Sequence, residues 1–478
     1  MSLRAKVFSG LRWTAGGRLA SQLFTWAVTL VVIRLLTPGD YGLLSMATIF
    51  VQFLQLTAEI GLGPAIVQAK QIEERQLKQI FGLILLINIG LCLLLFLLAP
   101  LIASFFSESR LTAVVQVMGL QFLALAITVI PKSLLERSMD FKRSAMLDVG
   151  ATLLGGVVTL LMALAGFGVW ALVWGSLAGA IYKAIAINLV APFFKLPSFR
   201  FDGTARLLLF GGNVTAARLL WFFYSQADVF IVGKLLGKEL LGIYSVSMHL
   251  AGLPVQRISG IINQVAMPAF AKLQHDRELA GAHFLKAARL MLFVAFPVLW
   301  GMSAVAPELV ALVMGENWSS AVLPLQLLTL LMPLRMLSNM LPSLTQGLGR
   351  PDIALGNLVS ASIIMPVAFF IGAGWGVVGV ACAWLLAFPL VFLGNLHRAL
   401  PLAGLKITAL LSCLAGAFTA SLLMYAAVYL SRMCIPDWAL GVRLLFLIMS
   451  GALAYVGASW GLNRATFLEM LAMLRGKK

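Results

Sequence analysis

Arg18, Lys183, Arg218, Arg257 and Arg335 stand inside long apolar runs of the sequence. A charge at the centre of a hydrocarbon span costs about 2.5 to 3.5 kcal/mol even on lenient insertion scales, so each needs an anion, a water-filled cavity or the membrane interface. Four of the five are arginines, whose planar guanidinium presents paired donors that match phosphate oxygens. Their type points to anion binding in a cavity. The competing reading is snorkelling, in which the aliphatic stem carries the charge to the headgroups. It suits Lys183 best, and it fits Arg18 and Arg257 if they lie near helix ends.

Acids are fewer in these runs, and they offer a different chemistry. Asp228 follows Arg218 by ten residues on much the same helical face, as a structural partner, a cation site or a proton carrier. Glu59 precedes Gly61-Leu62-Gly63-Pro64, where a helix kinks or ends, and reads first as a helix-end carboxylate. His249 titrates in the physiological range, although a single histidine on a polar face is most often simply hydrogen-bonded. These three are the candidates for ion coupling, with H+ or Na+ as the ion. No phosphate-binding loop, nucleophile elbow, metal-ligand cluster or carboxylate pair is present, so neither an enzyme nor a metal or organic cofactor is expected. The four cysteines show no disulfide or metal spacing.

The remaining polar residues fall in stripes. Arg18, Gln22, Thr25 and Thr29 recur at helical steps, as do Ser45, Thr48, Gln52, Gln55 and Glu59. Arg218, Trp221, Ser225 and Asp228 lie within about 80° on a helical wheel at roughly 100° per residue. Ser245, His249, Gly252, Gln256, Ser259 and Asn263 form a fourth stripe. Hydrocarbon penalises unpartnered polar groups, so these faces must meet protein or water.

The elements that carry them are membrane helices. With 61% hydrophobic and 11% charged residues over 478 positions, the chain lies far from soluble composition, and an apolar run of about 20 residues spans a bilayer. Fourteen spans are expected: 15–36, 41–67, 79–103, 112–131, 146–166, 168–194, 207–236, 240–268, 287–314, 321–347, 353–373, 376–396, 406–430 and 439–463. The first, with Arg4, Lys6 and Arg12 before it, imitates a signal peptide. It is too long, carries Arg18 and Arg34 and lacks a small-residue cleavage pattern, so it reads as a helix. With a cytoplasmic amino terminus, loops on that side hold 24 of the 35 Lys and Arg, far-side loops 6, and spans 5. That asymmetry places both termini in the cytoplasm, and it accounts for the net charge of +17 without a nucleic-acid partner.

Arg34-Leu35-Leu36-Thr37-Pro38-Gly39-Asp40-Tyr41-Gly42-Leu43-Leu44-Ser45-Met46-Ala47 returns 200 residues later as Lys234-Leu235-Leu236-Gly237-Lys238-Glu239-Leu240-Leu241-Gly242-Ile243-Tyr244-Ser245-Val246-Ser247. Gly166-Phe167-Gly168 likewise returns as Gly374-Trp375-Gly376. Each repeat holds six spans, an even number, so the two run parallel about an axis along the membrane normal. The expected organisation is a lobe at 1–200, a lobe at 201–400, and two further spans with a tail at 401–478. The polar faces of spans one, two, seven and eight are expected to line one central cavity.

Several short motifs in this order resemble the polysaccharide transporters, the Wzx-type flippases of the multidrug/oligosaccharidyl-lipid/polysaccharide exporter superfamily. They are Arg34 to Gly42, Gly61-Leu62-Gly63-Pro64-Ala65-Ile66-Val67-Gln68, Glu136 to Arg143, Ala227-Asp228 with Gly233-Lys234-Leu235-Leu236-Gly237, and Gly347-Leu348-Gly349-Arg350. The resemblance spans roughly residues 1 to 400, and beyond it only hydropathy agrees. It implies two six-helix lobes around a cavity in the bacterial inner membrane. It also implies export of an undecaprenyl-diphosphate-linked oligosaccharide for O-antigen or exopolysaccharide synthesis by alternating access. On that reading Arg18, Arg218, Arg257 and Arg335 hold the diphosphate. Gln22, Gln52, Gln55, Trp221, Gln256 and Asn263 meet the sugar. Membrane lipids, a polymerase and glycosyltransferases are the expected partners. The rival readings are a multidrug/cation antiporter of the same superfamily, which calls for about twelve spans and an acidic cavity, and a non-transporting scaffold for a polysaccharide synthesis complex.

Overall fold

The computed structural model describes residues 21–58, 62–68, 72–193, 195–199, 205–435 and 438–474, without the side chains of 64, 65, 68, 205–218, 257, 261–265, 473 and 474. Every regular element among them is a helix. Among the described residues, eleven helices or runs of adjoining helices are long and apolar enough to cross a membrane. A shorter apolar helix, α1 (Ser21–Leu35), precedes them. The span expected at 41–67 is two helices, α2 (Pro38–Ala58) and α3 (Leu62–Gln68). In α4 (Glu74–Phe106), Asn88 is fully buried and donates from Nδ2 to the carbonyl of Ala58 at 3.1 Å, so a side chain satisfies the open end of α2.

Next come α5 (Leu111–Gly119), α6 (Gln121–Arg137), α7 (Phe141–Leu164) and α8 (Val169–Val190). The spans expected at 207–236 and 240–268 run together as α9 (Ala205–Lys272), which breaks at Gly237 with φ 80° and ψ 179°. That left-handed φ suits a residue without Cβ, and it divides α9 into two arms. Then follow α10 (Arg277–Ala304), α11 (Ala306–Val313), α12 (Val322–Ser338), α13 (Leu341–Gly347), α14 (Pro351–Ala373), α15 (Gly376–Ala399), α16 (Ile407–Cys434), α17 (Leu440–Leu462) and α18 (Arg464–Leu474).

The chain forms two compact units, Met1–Gly242 and Ile243–Lys478. The first copy of the 200-residue repeat marker, and the second as far as Gly242, therefore fall in the first unit, and within it they touch. A Cβ at Gly42 would strike the Lys238 carbonyl, and one at Gly242 would strike the Pro38 carbonyl. Because 38 is equivalent to 238 and 42 to 242 in the repeat, the contacts 42–238 and 242–38 are reciprocal, as about a local two-fold axis. Asp40 holds this corner. Its Oδ2 accepts from Thr37 Oγ1 at 2.8 Å, and its Oδ1 accepts the amide of Val169 at 3.1 Å, so one carboxylate serves the starts of α2 and α8.

In the second unit α11, α16 and α17 converge on Glu308. Its carboxylate receives Arg432 at 2.9 and 2.7 Å and Arg443 at 3.2 Å. At the other end of α17, α18 folds back on α10 through Glu469, which pairs with Lys286 at 2.9 Å and with Arg289. Tyr455 of α17 donates to the Phe293 carbonyl of α10 at 2.6 Å.

Candidate functional site

In the first unit the two glutamines of the α2 stripe have polar partners. Gln52 accepts from Gln226 of α9 at 3.1 Å, and Gln55 donates to Gln121 of α6 at 3.1 Å. Gln121 in turn donates to the Met118 carbonyl at 2.8 Å. Phe53, between these two glutamines, packs against Phe222 and Phe223. Each carboxamide thus has a partner suited to apolar surroundings while retaining further donors and acceptors for a polyhydroxylated ligand. Gln22 is half-buried on α1, where Thr25 bonds back to the Ser21 carbonyl at 2.8 Å.

The α9 stripe divides by environment. Trp221 is 58% exposed and Asp228 3%, so the face that unites them on a wheel does not give them common surroundings. Asp228 accepts the amide of Val229 at 2.8 Å. On the second arm His249 and Gln256 are exposed. Arg18 and Glu59 lie outside the described residues, as do the side chains of Arg218, Arg257 and Asn263. Lys183 is neutralised by Asp148 at 2.6 Å, which accounts for that charge without a ligand.

Arg335, on α12, has a different kind of environment. Its guanidinium lies 4.3 Å from the ring centre of Trp384 in α15, and its Nη1 approaches the Met248 sulfur at 3.4 Å. Among the described residues no carboxylate lies within ion-pair distance of it. A thioether is a weak acceptor, so the positive charge is held without being cancelled. A half-buried cation in this state favours an anion.

Tyr244, Met248, Gln121, Gln226 and Trp384 escaped the sequence reading as site residues. The two glutamines carried a signal, since Gln226 stands two residues before Asp228 and Gln121 opens an apolar run. Trp384 carried none, being one of several aromatics in the apolar part of α15.

Residues 31–323 match a family model described as polysaccharide biosynthesis protein. The chain is 26% identical over 393 residues to the lipopolysaccharide biosynthesis protein WzxC of Escherichia coli K12, covering 81% of this chain and 79% of WzxC. It is 25% identical over 358 residues to the teichuronic acid biosynthesis protein TuaB of Bacillus subtilis 168, covering 74% of each. Among solved structures it resembles the lipid II flippase MurJ in an inward closed conformation, with a TM-score of 0.73 at 15% identity over 93% of this chain and 97% of MurJ. At that identity the likeness establishes the fold.

Proposed function

The chain belongs to the polysaccharide biosynthesis protein family, as a multi-pass protein of the inner membrane, and from that premise we propose that it is a flippase for a lipid-linked oligosaccharide. The substrate is an undecaprenyl-diphosphate-linked glycan, moved from the cytoplasmic to the periplasmic leaflet for O-antigen or exopolysaccharide synthesis. The observation that carries this reading beyond the family is Arg335, a half-buried guanidinium with soft partners and, among the described residues, no carboxylate within ion-pair distance. A neutral glycan has no use for such a charge, and a diphosphate does.

In this proposal Arg335 binds the diphosphate together with Arg18, Arg218 and Arg257. Gln22, Gln52, Gln55, Trp221, Gln256 and Asn263 meet the sugar, the glutamines and Asn263 by hydrogen bonding to hydroxyls. Alternating access is driven by an ion gradient, H+ or Na+, with Asp228, Glu59 and His249 as carriers. Each charge moved through 100 mV supplies about 2.3 kcal/mol.

Cells lacking the protein are expected to accumulate undecaprenyl-diphosphate oligosaccharide in the cytoplasmic leaflet, and the accumulated lipid identifies the glycan. Complementation with R218A/R335A is expected to restore little polymer at normal membrane abundance. Full export by that variant would sink the assignment of the arginines, and an unchanged lipid-linked pool in the deletion strain would sink transport itself.

A further inference from the structure

We infer that Trp384 and Tyr244 are positioning residues that hold Arg335 with its donor edge open for an anion. The inference rests on the flippase reading and adds to it the device that makes this arginine available. It follows from the shape of the guanidinium. The five N–H groups lie in its plane, so a carboxylate partner occupies an edge, whereas an aromatic ring occupies a face. Arg432 and Arg350 spend their edges on Glu308 and Asp352. Arg335 is held by its charge over the indole of Trp384, with only Nη1 leaning on a thioether. Among the described residues the remaining N–H groups have no hydrogen-bond partner, and a thioether sulfur, a weak acceptor, is readily displaced.

The platform is itself fixed. Trp384 is 2% exposed, and its Nε1 donates to the Tyr244 hydroxyl at 2.8 Å. Tyr244 is fully buried. Phe369, with ring centres 4.9 Å apart, and Phe388, at 5.7 Å, pack against the same indole. An indole that cannot turn presents a constant face. The cation held over it loses little further freedom when an anion arrives, which is how preorganisation raises affinity. Partial desolvation beside the buried indole strengthens the cation–π attraction that keeps Arg335 in place.

The test titrates undecaprenyl diphosphate, with undecaprenol as the uncharged control, into the full-length protein in nanodiscs. R335A is expected to weaken diphosphate binding at least tenfold and to leave undecaprenol binding unchanged. W384L is expected to weaken it by a comparable factor and Y244F by a few-fold, while W384F, which restores a π face, recovers most of the loss. In the R335A background W384L and Y244F are expected to have no further effect, because they act through the guanidinium. If R335A binds like the wild type, the arginine does not serve the diphosphate and the functional reading of this site fails. If R335A binds weakly but W384L and Y244F reduce binding equally with and without Arg335, the positioning role is overturned and the aromatics are packing alone. Should W384L fail to fold, Y244F, which removes one buried oxygen, decides on the same criterion.

Discussion

Glu308 shows what a single buried acid does. Its side chain is 4% exposed and is shared by Arg432 and Arg443, so E308A leaves two guanidiniums without a counter-charge. Breaking a buried pair from one side costs about 3 to 5 kcal/mol. E308A is therefore expected to lose stability of that order in a denaturation series in detergent, and R443A less, since Arg432 keeps its two-point contact. Wild-type stability of E308A would show that the cluster holds nothing together. Glu469 gives a milder, pH-dependent case. Hydrogen bonding from Lys286 and the charge of Arg289 hold its carboxyl below the usual range. A depressed carboxylate stabilises the fold above its unfolded value of about 4.3 and loses that contribution as pH falls through the folded value. The stability gap between wild type and E469Q is thus expected at neutral pH and to close in acid, read as thermal midpoints across a pH series. A gap independent of pH would assign it to packing. Arg335 and Gln52 were legible as polar residues in apolar runs, but Glu308 was passed over. Periodicity reveals a face of one helix, whereas the worth of Glu308 depends on a partner 124 residues away.

Helix corners repeat the same economy. Glu108, in the first unit, takes Lys238 at 2.5 Å and Arg110 at 3.3 Å. Glu308, 200 positions later, takes two arginines at the ends of α16 and α17. Each glutamate thus ties a later helical corner to an earlier helix, and the last two spans are fastened in the manner of the second marker. The reciprocal contact of Gly42 and Gly242 yields a sharper expectation. Each glycine faces a carbonyl of the other copy, and a side chain at either must separate the two backbones. Overpacking of this kind costs about 1 to 3 kcal/mol. G42L and G242L are expected to destabilise similarly and to combine less than additively, since the first displacement makes room for the second. Strictly additive losses in unfolding experiments would mean that the two sites yield independently. The 200-residue echo was plain in the sequence, and so was the turn at Thr37 to Asp40. What a repeat cannot convey is that its copies meet, because similarity in sequence carries no information about contact.

Orientation is a property of the whole chain, and it follows from where few charges lie. Of the six basic residues assigned to far-side loops, Arg110 and Lys238 are drawn to Glu108, and Arg432 and Arg443 to Glu308. These acids do not alter the expected topology with both termini in the cytoplasm, because the positive-inside rule counts Lys and Arg and gives little weight to acidic residues. The four native cysteines provide the measurement. Cys434 is exposed at the end of α16, on the side opposite the termini in this topology, and Cys92, Cys382 and Cys413 are half-buried in helices. A membrane-impermeant maleimide is expected to label the protein in intact cells through Cys434, and C434S is expected to abolish that labelling. Labelling that appears only after lysis would put the α16–α17 corner in the cytoplasm. It would invert the chain, and with it the leaflet from which the proposed substrate is taken. The direction of transport in the proposal therefore rests on this corner, while the diphosphate chemistry rests on Arg335 and survives either outcome.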